Sequence, residues 1–312
     1  MGQNRRRDLE RTQYSMLCTL SEYIHERSPS ILDNTELEAL GAVRWTNLDV
    51  DSQTLCDFEP RFFSPCYDED SGLEEEADQS RGMWRETLDD KKHTDPEWVE
   101  NAGYVYATMR AKWFDNRLSR LGYYYEGETH PINNYGGVDQ EDMDFAAPTG
   151  GNFSNTMYVT KYYQVPTSTY KPHMGIIMLD PNVAPEGKML WSELDAAVTL
   201  LREQIRSGRF TNHHTKPVLI YTFQWESHAR LTQAHLDAKT NKIMIRQSRQ
   251  FDLRGKEPPP DALLLLRWLL NSPVGATRYE DLVEGGANKP VAREGGDEVT
   301  AERPNLVEVE SA

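Results

Sequence analysis

Between Lys216 and Asn271 the chain concentrates side chains that bind or react, with Gln, Arg, His and Glu set into three β-type runs between two apolar helical patterns. Just before the first run stand His213 and His214, and the second run ends in His235 and Asp237, which share a face because side chains alternate along a strand. Imidazoles beside a carboxylate are ordinary ligands for zinc or iron, so these four are the metal candidates. Half-exposed histidines bound to water or backbone would leave the same trace, and nothing in the chain calls for a metal or any other cofactor. His228 and His235 are an odd interval apart, so they face opposite sides of the sheet and cannot share one ion.

At the other end of the same runs, Gln224, Trp225, Glu226, Ser227 and His228 form a turn beside Gln250, Asp252 and Arg254, where a hydrogen-bonding pocket is expected. Ser227 next to His228, with Glu226 adjoining, has the residue types of a nucleophile, base and orienting acid. Neighbours on extended backbone diverge, whereas a triad needs converging side chains, and no Gly-x-Ser-x-Gly elbow is present. The third run carries Arg246 and Arg249 on opposite faces with Gln247, Ser248 and Gln250 between them, a polarity that predicts an edge strand or one wall of a groove. The set Gln224, Trp225, Glu226, His228 and Arg249 is therefore the expected binding surface, for a protein or a small molecule, with Trp225 as the anchor.

The elements that must position these groups are legible from periodicity. Apolar residues recur at helical spacing from Arg6 to Arg27, from Asp95 to Leu118, from Ser192 to Arg206 and from Asp261 to Leu270. Ser192 with Asp195 three positions on resembles a capping box, and Gly208 follows the last turn of that helix. Strands are predicted over Thr156 to Val165, His173 to Leu179, Val218 to Phe223, His228 to Leu236 and Ile243 to Phe251. Short links at Gln224 to Ser227 and Asp237 to Lys242 make the last three a meander. The expectation is an α+β protein with a mixed or antiparallel sheet of about five strands flanked by helices. Residues 1–121 read as a mainly helical region with an acidic loop at 68–78, residues 122–155 as a long loop, 156–284 as the α+β core and 285–312 as a disordered acidic tail. The acids Asp139, Glu141, Asp142 and Asp144 fall out of register with a calcium loop, which needs an oxygen ligand and a Gly where Met143 and Asp144 stand.

A formal charge of -16 repels phosphate backbones, so general nucleic-acid binding is not expected unless basic side chains gather on one face. Cys18, Cys56 and Cys66 form no CxxC pair and read as free thiols. The polar, basic start of the chain is unlike a secretory signal, Arg6 stands where myristoylation wants Ser or Thr, and no apolar run approaches a membrane span, so a cytoplasmic or nuclear setting is expected.

The order helix, three strands, helix between Ser192 and Leu270 resembles the core of restriction-endonuclease-like nucleases, whose second and third strands carry an acid and then an acid-x-Lys pair. Under that resemblance Asp237 stands for the first acid and Gln247-Ser248-Arg249 for the pair. Gln is a neutral ligand and Arg does not give up a proton to activate water, so the set implies a degenerate scaffold more readily than an active metal-dependent nuclease. The phrase KPVLIYTFQWESHARLTQAHLD, followed by IRQSRQFDLRG, also resembles stretches of uncharacterised proteins from filamentous fungi, which implies no activity. The leading expectation is a non-catalytic interaction or accessory protein, with the nuclease as the alternative.

Overall fold

A computed structural model describes residues 3–27, 31–40, 43–51, 61–66, 84, 110–111, 113–114, 158–164, 171–180, 182–238, 240–255 and 257–281. The acidic segment 68–78, the long loop 122–155 and the tail 285–312 lie outside these residues. So does most of the helix expected from Asp95 to Leu118, of which Arg110, Ala111, Trp113 and Phe114 are described and helical.

The protein is α+β and is built on one mixed seven-stranded sheet. In chain order the elements are α1 (Gln3–Arg27), β1 (Ile31–Leu32), α2 (Asn34–Ala39), β2 (Val43–Asn47), β3 (Phe63–Ser64), β4 (Tyr158–Gln164), β5 (Met174–Asp180) and β6 (Met189–Leu190). There follow α3 (Trp191–Arg206), β7 (Val218–Gln224), β8 (His228–Asp237), β9 (Lys242–Gln247), β10 (Phe251–Asp252), α4 (Pro260–Leu269) and β11 (Ser272–Pro273). The sheet runs β2-β9-β8-β7-β5-β4, with β10 continuing beside β8. All five strands read from the sequence are present, and β7, β8 and β9 form the antiparallel meander that short links require.

Within the seven-stranded sheet, β2 lies outside the five predicted runs and β10 is a separate strand at the end of the last one. β2 pairs in parallel with β9 from Val43↔Ile243 to Asn47↔Gln247, so β9 is internal to the sheet and the edge reading of this polar strand is corrected. Its polarity has another cause, because Arg246 and Gln247 are buried and bond to Asn47 O and Glu193 rather than to water. The run from Ile243 to Phe251 is also broken. Ser248 donates its N–H to Leu231 O, accepts from Leu231 N at 3.0 Å and donates its hydroxyl to Arg249 O, which takes the chain out of register before β10 resumes at Phe251↔Ala229.

Alternation sorts the sheet into two faces. Met174, Ile176 and Met178 of β5, Val218 and Ile220 of β7, Ala234 and Leu236 of β8 and Ile243 and Ile245 of β9 pack under α3 and α1. The opposite face buries Ile177, Leu179, Leu219, Tyr221, Phe223 and Leu231 against α4 and the aromatic group Trp84, Trp113 and Phe114. Each such side chain stabilises the fold by about 1.5–3 kcal/mol when fully buried. The start of α3 departs from the expected capping box. Its N-cap is Leu190, whose N–H donates to Glu193 at 3.0 Å, and Ser192 instead gives its hydroxyl to Asp180. Gly208 closes the helix as expected, with φ +63 and its N–H on Ile205 O.

Candidate functional site

The α3-facing side of the sheet turns from apolar to polar toward the Trp225 end. Asp180 on β5, Thr222 and Gln224 on β7, Arg230 and Thr232 on β8 and Gln247 on β9 carry on the even or odd register that buries Ile176, Ile220, Ala234 and Ile245. All six are buried. The first turn of α3 is laid over them, which places Glu193 at the centre of the group. Arg230 donates Nε to Glu193 Oε1 at 3.0 Å and a second guanidinium nitrogen to Oε2, and Gln247 Nε2 donates to the same Oε2 at 2.7 Å. A third guanidinium nitrogen reaches the carbonyl of Lys188 at 2.8 Å, and Gln247 also donates to Thr232 Oγ1 at 3.2 Å. Glu193 and Arg230 are 0% and 3% exposed, so the pair is held out of water and neutralised within itself.

Asp180 lies one strand further on. Burial pushes its carboxyl pKa upward, and hydrogen bonds from the Ser192 hydroxyl and from the backbone and side chain of Asn182 pull the other way. Gln250 Nε2 ties the row to the covering segment through Ala184 O at 2.7 Å and to Gln224 Oε1 at 3.2 Å. Thr222 Oγ1, Gln224 Nε2 and Gln247 Oε1 have no hydrogen-bond partner among the described residues.

The expected binding surface is only partly assembled. Gln224 is fully buried, so it supports the turn from beneath rather than facing a ligand. The turn itself is a short 3-10 helix, Trp225–Ser227, with Ser227 in the left-handed region at φ 58 although it is not glycine. Trp225 stands on it 44% exposed, the one large hydrophobic side chain so exposed among the described residues. His228 sits half-buried below, its Nδ1 3.2 Å from Trp225 O. The side chain of Glu226 lies outside the described residues. Arg249 does not join this group: it is clamped by Asp51 at 2.7 and 2.9 Å and by Asp261 at 2.8 Å, over the ring of Phe251. Hydrogen bonds to Asp261 and then Asp51 hold its guanidinium charged beyond the ordinary arginine range.

The nuclease-like set does not converge. Asp237 pairs in register with Lys242 and Gln247 with Thr232, which puts them about 16 Å apart along β8 and on opposite faces. Asp237 accepts from the N–H and the hydroxyl of Thr240 at 3.2 and 2.6 Å and shapes the β8–β9 turn, where Asn241 takes φ 55. The residues of β8 that share the face of Gln247 are His228, Arg230, Thr232, Ala234 and Leu236, none of them acidic.

The metal candidates are neighbours with separate commitments. His213 Nδ1 meets Thr277 Oγ1 at 2.8 Å, His214 Nδ1 meets Thr215 Oγ1 at 2.8 Å, and the ring of His235 packs edge-on against Phe62 at 4.9 Å. Among the described residues no group of three or more His, Cys, Asp or Glu is arranged to hold a metal ion. Nor is any described helix long and apolar enough to cross a membrane.

No family model, curated protein or solved structure matches the chain. Sequence reasoning missed Glu193, Arg230 and Asp180. A signal for Arg230 was available, since it sits mid-strand on the parity of Ala234 and Leu236, where an unpaired charge is not tolerated. Nothing local to Glu193 says that it meets β8 and β9.

Proposed function

We propose that the protein is a non-catalytic interaction protein that engages its partner through the Trp225–Ser227 turn. The exposure of Trp225 on a turn whose last residue, Ser227, is held in the costly left-handed region carries this reading. Such strain persists where surrounding structure imposes it, and Trp, with Tyr and Arg, is enriched among the side chains that dominate binding surfaces. The buried polar row supports the same view. Its central carboxylate is saturated by Arg230, Gln247 and the Leu190 N–H, and a basic guanidinium occupies the strand where a nuclease-like centre needs an acid. The test compares full-length protein with Trp225→Ala as bait in extracts, followed by binding of the recovered partner in purified form. Affinity lost by at least tenfold at unchanged melting temperature is expected, and equal binding by both proteins would refute the reading.

One observation favours a metal-dependent nuclease as the second reading: an acid from α3 and Gln247 from β9 meet over β8 within a helix, meander, helix order. Incubation with Mg²⁺ or Mn²⁺ and single-stranded, duplex and RNA substrates decides it. Cleavage that disappears in Glu193→Gln would replace the first reading.

A further inference from the structure

The end of the sheet remote from Trp225 is closed by a ribbon. β3 pairs with β11 (Phe63↔Pro273, Ser64↔Ser272), and Val274 N–H donates to Phe62 O at 2.9 Å. Beyond it, Thr277 O accepts from the N–H groups of His214 and Thr215 at 2.8 and 3.4 Å, and Tyr279 N–H donates to Asn212 O at 3.2 Å. The ribbon is tightly made: Gly275 has φ +84, and a Cβ there would lie 2.6 Å from Arg61 O.

Beneath it are three buried imidazoles, each covered by a different part of the ribbon. His173 lies against the ring of Phe63 at 5.2 Å and holds Val274 O at 3.0 Å through Nε2. A carbonyl oxygen only accepts, so Nε2 carries the proton and Nδ1 is bare. His213 holds Thr277, and His235 packs under Phe62. In all three, one buried ring nitrogen has no hydrogen-bond partner among the described residues: Nδ1 of His173, Nε2 of His213 and Nδ1 of His235. A second proton on His213 Nε2 or His235 Nδ1 would create a buried N–H with nothing among the described residues to receive it, while at His173 the backbone of Val274 and Phe62 favours the proton and burial outweighs both.

The charged surroundings reinforce the burial. His173 faces Lys171 and His213; His213 faces Arg278, Lys216 and His214, with Asp281 opposing them. His235 faces Asp237, which favours its proton, and Arg246 and His214, which disfavour it. Burial, the dominant cause, lowers the pKa of His173 to about 3 and those of His213 and His235 to about 4. These histidines are protonated more readily once uncovered, so acid favours the uncovered form. The effect begins as pH falls below about 6.5, the ordinary histidine value, and is complete near the folded values.

We propose that the β3–β11 ribbon is an acid-released latch, in which protonation of His173, His213 and His235 frees it from the sheet end while the seven-stranded sheet stays folded. Hydrogen exchange on the full chain tests this, with protection expressed relative to the intrinsic rate at each pH. Between about pH 6.5 and 4.5, protection of the Val274 and Tyr279 amides is expected to fall roughly tenfold or more per pH unit, with β7 and β8 amides within about twofold. Changing His173 and His213 together to Gln should flatten that fall. Gly275→Ala, which leaves every histidine in place, should release the ribbon already at about pH 7.5. Ribbon amides that keep their protection at pH 4.5, or that lose it only together with β7 and β8, would overturn the proposal.

Discussion

The two ends of this sheet bury polar groups by opposite strategies. At the Trp225 end charge is kept and cancelled: Glu193 and Arg230 meet in full burial and Gln247 completes the carboxylate. At the ribbon end charge is avoided, and His173, His213 and His235 are held neutral. A cancelled pair is intolerant of losing one member, whereas a neutral cluster tolerates mutation better and fails when protons arrive. Asp180 sharpens the contrast. Its folded pKa is raised by burial, so it binds a proton more readily folded than unfolded, and its contribution to stability grows as pH falls through the folded value. The histidines change sign the other way: their folded values are lowered, so their contribution is present above about 6.5 and is lost on acidification toward about 4.

The contrast is broken most forcefully at Glu193. Arg230→Met strands a buried carboxylate and should cost about 3–5 kcal/mol in urea unfolding, whereas Arg230→Met with Glu193→Gln should recover much of that loss. Recovery of nothing would show that the pair is not coupled. At the other end Gly275→Ala should cost about 1–3 kcal/mol through backbone strain and the contact with Arg61 O, measured at neutral pH where the histidines are silent. A melting-temperature profile should fall from about pH 6.5 to 4, and exchanging His173 and His213 for Gln should shrink that fall, while Asp180→Asn leaves it in place or steepens it. The smallest effects belong to the turn. Ser227→Gly relieves a left-handed residue and should raise stability by no more than about 1 kcal/mol, and Trp225→Ala should change it by less than about 0.5 kcal/mol.

Local pattern made much of this architecture legible. The stripe of Leu194, Ala197, Val198 and Leu201, the meander and its short turns all follow from spacing within one or two elements. What escaped was decided by distant segments. β2 is a short VRWTN run whose meaning depends on β9, and with β2 in place the polar β9 ceases to be an edge. Ser192 has the right type for a cap, yet Asp180 takes its hydroxyl. The site suffered from the same blindness. His213 and His235 are claimed by Thr277 and Phe62 of a ribbon that no local pattern announces, while the side chains of His214 and Asp237 bond to Thr215 and Thr240 beside them in the chain. Arg249, read as a binding residue from its strand, belongs to Asp51 and Asp261.

The parallel docking of β2 on β9 joins residues 199 positions apart in the case of Asn47 and Arg246. A parallel neighbour cannot be reached by a hairpin, and closing so long a loop is slow relative to forming the meander. During synthesis β2 therefore leaves the ribosome well before its template exists, and the backbone of β9 stays open to foreign strands until the beginning of the chain returns. Truncations that remove the first fifty or so residues should thus fail by aggregation rather than by loss of the central hairpins.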